Sequence, residues 1–265
     1  MKAPGKYIIP LLAGISFIAW VIAFLLPQFP WTITLAVAPI FALYAFHKEK
    51  NLPFTSFGIS VAGTLVLSYV VIASFIKNGS PGIPLSINYG IIMSFAFFAY
   101  WLTDTHAKNR LGLVTIVIFY AGIEYISMIF VPEYAHFLLG SSLSEFPAIQ
   151  RWNTQSGITG VSAWILLANI GTYFVLFRNM AIFNGIFRWR SLLLSAVLIS
   201  IPGIISYWIL DPTIGALNAG EVADGFRNII TSGKFDSAGE ITGRTCAWVT
   251  VLIVIYGLVK RKVTP

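Results

Sequence analysis

Charge is what this sequence has least of. Asp, Glu, Lys and Arg make up 10% of its 265 residues, against about 25% in soluble domains. With 57% of the chain hydrophobic, a water-soluble fold of this size is excluded, because its apolar surface needs lipid as solvent. Cysteine is almost missing. The single Cys246 rules out an internal disulfide framework and any Cys-rich metal site. Histidine is limited to His47, His106 and His136, and only one acid, Glu124, falls inside an apolar stretch. Internal repeats and low-complexity tracts are also missing, so one membrane domain over 1–265 is the expectation.

What is present is a series of eight apolar stretches: 7–26, 31–46, 57–76, 87–102, 111–130, 157–177, 189–210 and 243–259. Each approaches the roughly 20 residues that cross a bilayer as a helix. The expected fold is therefore an all-α polytopic membrane bundle with eight transmembrane helices. Lys2 and Lys6 precede the first stretch as they would in a signal peptide. The apolar run reaches Leu26 without a small-x-small cleavage site, so a retained first span is expected. Pro27 and Pro30 predict a tight turn before the second, since proline cannot continue a helix.

The net charge of +7 takes its meaning from where it sits. With both termini in the cytoplasm, 12 basic residues lie in inner segments and five lie outside: Lys77, Arg151, Arg227, Lys234 and Arg244. That bias satisfies the positive-inside rule and accounts for the basic balance without nucleic acid. Anionic lipid on the inner leaflet is a secondary partner for it.

Glu124 lies about 9 Å from the outer end of the fifth stretch at 1.5 Å per residue. A carboxylate at that depth is expensive and faces the bundle interior or a wet cavity. Two readings stand side by side: a polar lining residue of a lipid-accessible cavity, or a structural carboxylate, protonated or paired with Arg151 or Arg244. Asn169 follows Gly157, Gly160 and Ser162 in the sixth stretch. The small residues predict close helix packing, and the amide a hydrogen bond across the interface. Asn169 is about 9 Å deeper than Glu124, so no direct contact between them is expected.

The remaining candidates read as structural. Glu133 and His136, three apart, have the spacing of half a carboxylate-bridged metal site, but no second half exists in the sequence, so no metal and no cofactor is expected. Asp104 with His106 is equally incomplete, and His47 beside Lys48 reads as an interfacial residue. Cys246 has no base tied to it by spacing and reads as a small packing residue. Within the connecting segment 211–242, Asn218 and Glu221 form a helix start. Val222, Phe226, Ile229 and Ile230 then share one helical face, predicting a short amphipathic helix on the outer membrane surface.

In order along the chain these features resemble the membrane part of the apolipoprotein N-acyltransferase family. The resemblance rests on Phe24, Pro27, Phe29, Pro30 and Trp31 at the first turn, ending in Ala38-Pro39; on Gly79, Gly82 and Pro84 after the third stretch; on Glu124-Tyr125; on Phe146, Pro147 and Gln150 with Thr154-Gln155; and above all on Gly157, Gly160, Ser162 and Asn169. Arg244 resembles the family's basic residue before the last span. The resemblance implies a bacterial inner-membrane protein with eight spans and a lipid-facing opening. It implies membrane phospholipid as a partner, with a lipoprotein or a separate outer-side subunit as further ones.

The departures from the family decide the functional expectation. The family places a nitrilase-like domain with a Glu-Lys-Cys triad between the seventh and eighth spans. Here that position holds only 211–242, which contains no cysteine and is shorter than the roughly 50–250 residues of an ordinary domain. The family's arginine in the fifth span is replaced by Ser127. No catalytic residue carries over. Only Glu124, Asn169 and the glycines transfer, as parts of the scaffold. The resulting expectation is a non-catalytic scaffold that binds lipid or docks a partner. The alternative is a lipid or lipoprotein acyltransferase or hydrolase that uses relocated residues or a separate catalytic subunit. A transporter would need more intramembrane polar groups or paired broken helices.

Overall fold

The computed structural model describes residues 7–26, 28–75, 82–106, 112–143, 156–178, 189–208, 224 and 241–263. Among these, the regular structure is helical throughout, with no strand: α1 (Ile8–Leu25), α2 (Ile33–Ala36), α3 (Ala38–Glu49), α4 (Phe54–Phe75), α5 (Ile83–His106), α6 (Val114–Phe130), α7 (Ile158–Thr172), α8 (Trp189–Trp208) and α9 (Ile241–Val263). Five helical stretches are long and apolar enough to cross a membrane: 8–25, 30–49, 54–75, 83–105 and 158–177. Val114–Phe130 and Thr242–Tyr256 are apolar but shorter. The chain is thus a polytopic membrane protein. Arg151 and all of the connecting segment 211–240 except Asp224 lie outside the described residues.

The chain divides into two compact units, one of residues 1–90 with 165–204 and one of 91–164 with 205–265. In the first unit α1 packs on α2, α3 and α4. Its core holds an aromatic series: the rings of Trp20 and Tyr69 lie 5.2 Å apart and those of Tyr69 and Tyr89 4.9 Å, both edge to face, the geometry favoured by ring quadrupoles. A Cβ on Gly90 would stand 2.8 Å from the Val66 Cα, so only glycine lets α5 approach α4 this closely. Along α4, the hydroxyls of Ser60, Thr64 and Ser68 each donate to the carbonyl four residues earlier. Those groups meet their hydrogen-bonding needs within their own helix and place no demand on a water path.

The second expected span is not one continuous helix. A 3-10 turn at Pro30–Thr32 leads into α2, and a break at Val37 separates α2 from α3. The cause is Pro39, which has no N–H and whose ring clashes with the carbonyl four residues back. In the second unit α6 packs along α9. Residues 132–143, expected to be an outer connection, form two 3-10 turns, Pro132–Phe137 and Leu139–Leu143. Tyr134, Phe137, Leu138, Leu139 and Leu143 of this segment are buried, so it belongs to the core of its unit. Beyond α7 the helix widens into a π turn at Tyr173–Phe177, with the Arg178 guanidinium 5.2 Å from the centre of the Phe174 ring.

Candidate functional site

Asn169 and Glu124 are both fully buried at 0% exposure, and each is committed to irregular backbone. At the α2/α3 break the Asn169 Oδ1 accepts the N–H groups of Val37 at 2.8 Å and Ala38 at 2.9 Å. Its Nδ2 donates to the carbonyls of Ile33 and Ile165, both at 2.9 Å. In an unbroken helix the Val37 N–H would bond the Ile33 carbonyl. The carboxamide takes up both halves of that missing bond, and two donors against two acceptors also fixes which way the amide faces. The Ala36 carbonyl, freed by the same break, accepts from the buried Ser16 hydroxyl on α1. The expected interface hydrogen bond of Asn169 is therefore a set of four, directed at main chain.

Glu124 Oε1 accepts the Leu139 N–H at 3.0 Å. The next amide, Gly140 N–H, donates to Ser162 Oγ at 2.9 Å. One carboxyl from α6 and one hydroxyl from α7 thus hold adjacent amides of the 3-10 segment. A Cβ on Gly140 would lie 2.5 Å from the Ile158 carbonyl, so this segment approaches the start of α7 as closely as backbone allows. Ser127, which stands where the resembled family has arginine, donates to the Glu124 carbonyl at 2.8 Å.

The glycines act where helices begin or cross. Gly157 has φ +73°, a left-handed conformation that glycine adopts without steric cost, immediately before α7. A Cβ on Gly160 would meet Ser156 at 2.6 Å, and one on Gly243 would meet Thr159 and Tyr125 at 2.7 Å. A Cβ on Gly122 would sit 2.6 Å from Thr250 Oγ1 and 2.8 Å from the Cys246 carbonyl. Thr250 donates to the Ile118 carbonyl at 3.2 Å across the same seam. Cys246 belongs to the α6/α9 seam, where its main chain is what Gly122 approaches.

Glu133 and His136 share one face of the first 3-10 turn and are half-buried. Among the described residues no group of three His, Cys, Asp or Glu side chains could hold a metal ion. His47, expected at the interface, is instead 5% exposed. Its Nδ1 lies 2.9 Å from the Leu43 carbonyl and its Nε2 2.9 Å from Ser56 Oγ, which ties the end of α3 to the start of α4. Arg244 is exposed in the first turn of α9, beside an apolar groove lined by Tyr125, Ile126 and Ile129 of α6 and Ala247, Trp248 and Val251 of α9. Sequence reasoning missed Ser16, the structural use of His47 and the groove. The one signal for the first was Pro39, which marks a helix break whose freed carbonyls need donors.

Comparison with protein-family models, with curated proteins and with solved structures finds no match to this chain.

Proposed function

We propose that this chain is a non-catalytic membrane scaffold of acyltransferase type, with eight spans and both termini in the cytoplasm of a bacterial inner membrane. On this reading it binds phospholipid, or docks a lipoprotein or a separate subunit on the side that carries 131–143. The observation that carries the reading is the use made of the buried polar side chains. Glu124, Ser162 and Asn169 are the residues that the family resemblance singled out, and each is hydrogen-bonded to main chain. Asn169, with four bonds to main chain, and Ser162 are poorly placed to move a proton to or from a substrate, and Glu124 commits one carboxyl oxygen, Oε1, to the Leu139 amide. The short segment 211–242, standing where the resembled family has its catalytic domain, supports the same conclusion.

The test is purification from native membranes, followed by native mass spectrometry and by incubation with phospholipid and a diacylated lipopeptide. The expected result is a protein that carries phospholipid or a second polypeptide and transfers no acyl chain. Acyl transfer or lipid hydrolysis by the purified chain contradicts the proposal, as does a protein that is solitary and lipid-free.

A further inference from the structure

We infer that His47, Ser56 and Pro53 form a proton-operated latch on the turn between α3 and α4. A proton taken from water onto His47 Nε2 reverses the Ser56 hydroxyl, which then donates to the Pro53 carbonyl and tightens the turn.

His47 is 5% exposed and stands in the last turn of α3. Its Nδ1 lies 2.9 Å from the Leu43 carbonyl. A carbonyl only accepts, so Nδ1 carries a hydrogen. Its Nε2 lies 2.9 Å from Ser56 Oγ, and Ser56 Oγ lies 3.0 Å from the Pro53 carbonyl. The hydroxyl has one hydrogen to share between these two neighbours. If it goes to Pro53, Nε2 must donate, and the ring is an imidazolium. If the ring is neutral, Nε2 is bare and takes the hydroxyl hydrogen. Pro53 then keeps only the Ser56 N–H, at 3.1 Å. The same heavy-atom positions serve both states, with three side-chain bonds in the charged one and two in the neutral one.

The setting suits a group that gains and loses charge. Histidine is the side chain whose charge ordinarily changes between pH 5 and 8, and the C-terminal turn of a helix favours a cation. The rings of Phe46 and Phe57, centred 6.3 and 5.7 Å from the His47 ring, offer it no competing hydrogen bond. On α3 the neighbouring charges are Lys48, Glu49 and Lys50, of which Glu49 and Lys50 pair at 3.6 Å. Tyr44 of the same helix packs on Phe57. Of the elements packed on α3, α1, α2 and the first two turns of α4 carry no titratable side chain. The π turn brings Tyr173 against Phe41, and Arg178 follows it. Glu49 is the only acid among these described elements, and it is engaged with Lys50.

The turn gives the latch something to hold. Asn51 has φ +50°, a left-handed conformation that asparagine tolerates without preferring it. The Leu52 N–H closes the turn on the His47 carbonyl at 3.0 Å. His47 thus holds one strained turn by its main chain at one side and through Ser56 and Pro53 at the other. Asn51, Leu52 and Pro53 are exposed and Ser56 is half-buried, which gives water a way to Nε2. On the topology proposed above the turn faces the cytoplasm, but the latch needs only the turn.

The test uses the full chain in nanodiscs with ring nitrogen-15 histidine, the His47 signals being identified by their loss in His47→Gln. At about pH 8 Nδ1 should carry a hydrogen and Nε2 none, and at about pH 5 both should carry one, the two ends of the ordinary histidine range. Hydrogen exchange, corrected for its intrinsic dependence on pH, reads the turn. Residues 50–56 should be about fivefold better protected at the lower pH, the scale of one net hydrogen bond, while 61–72 of α4 should not change. Ser56→Ala should abolish the difference and leave the Nδ1 hydrogen in place at the higher pH. Ser56→Thr keeps a hydroxyl and should retain the difference.

A neutral ring whose hydrogen sits on Nε2 would overturn the latch, as would a ring that keeps one protonation state across that range. Protection that follows pH in Ser56→Ala as it does in the wild type would overturn it too. Should Ser56→Ala fail to fold, pH-independent protection in both the wild type and Ser56→Thr would overturn it equally.

Discussion

Asn169 and Glu124 are buried polar side chains in apolar helices, and both hold irregular main chain, but they do it with different chemistry. The amide has two donors and an acceptor oxygen with two lone pairs. At the α2/α3 break it meets two N–H groups and two carbonyls at once, so a single neutral side chain repairs a proline-broken helix. The carboxyl, when ionised, only accepts. At the 132–143 segment it satisfies one amide, and a second residue, Ser162, is needed for the next. The comparison teaches that the number of main-chain groups a break frees decides which side chain can sit there. A span interrupted within the bilayer needs donors and acceptors together, whereas a segment folded back at the end of spans can be held by acceptors from two helices.

The largest expected effect comes from removing the amide. Asn169→Leu strands the Val37 and Ala38 N–H groups in an apolar core. At about 1–3 kcal/mol for each unsatisfied group, it should destabilise the protein by roughly 3–5 kcal/mol and lower the melting temperature in detergent sharply. Asn169→Asp sharpens the comparison, because it keeps the acceptor and loses the donation to Ile33 and Ile165. It should fall clearly below wild type, and stability equal to wild type would mean that the donor half is idle.

Glu124→Ala should cost less, about 1.5–3 kcal/mol for a bond to one amide. It should also raise protease cleavage within 132–143 while leaving 33–38 protected. Glu124→Gln keeps an acceptor oxygen and should recover most of that loss, read by thermal unfolding of the two variants side by side. Gly122→Ala places a methyl group 2.6 Å from Thr250 Oγ1 and should force α6 and α9 apart. A loss of about 1–3 kcal/mol is expected from overpacking, with greater labelling of Cys246 by a thiol reagent. The smallest effect is expected from Ser162→Ala, which strands the single Gly140 N–H at about 1 kcal/mol, the low end of the range for an unsatisfied neutral group.

Much of this was legible in the amino-acid sequence, and the parts that were not share a physical reason. Hydropathy marks apolar helices because length and composition suffice for that. It does not mark the break at Val37, where Pro39 reads equally well as the start of α3. Asn169 and Glu124 stood out as polar groups in apolar stretches, but their partners are main-chain amides at 37, 38 and 139, and an amide leaves no trace in a side-chain pattern. The 132–143 segment gave no signal because 3-10 turns are short and lack the helical period that exposes a buried face. His47 was misread for a related cause: its neighbour Lys48 suggests water, while the bonds to Leu43 and Ser56 depend on the turn that follows α3.

Glu124 Oε1 holds the Leu139 amide, and the proposed scaffold role requires that its carboxyl do no chemistry on lipid. Phospholipid turnover by purified wild type and Glu124→Gln, measured together in nanodiscs, tests it most directly. The account predicts no turnover above protein-free nanodiscs for either protein. Turnover by the wild type that disappears in Glu124→Gln at an unchanged melting temperature would contradict it.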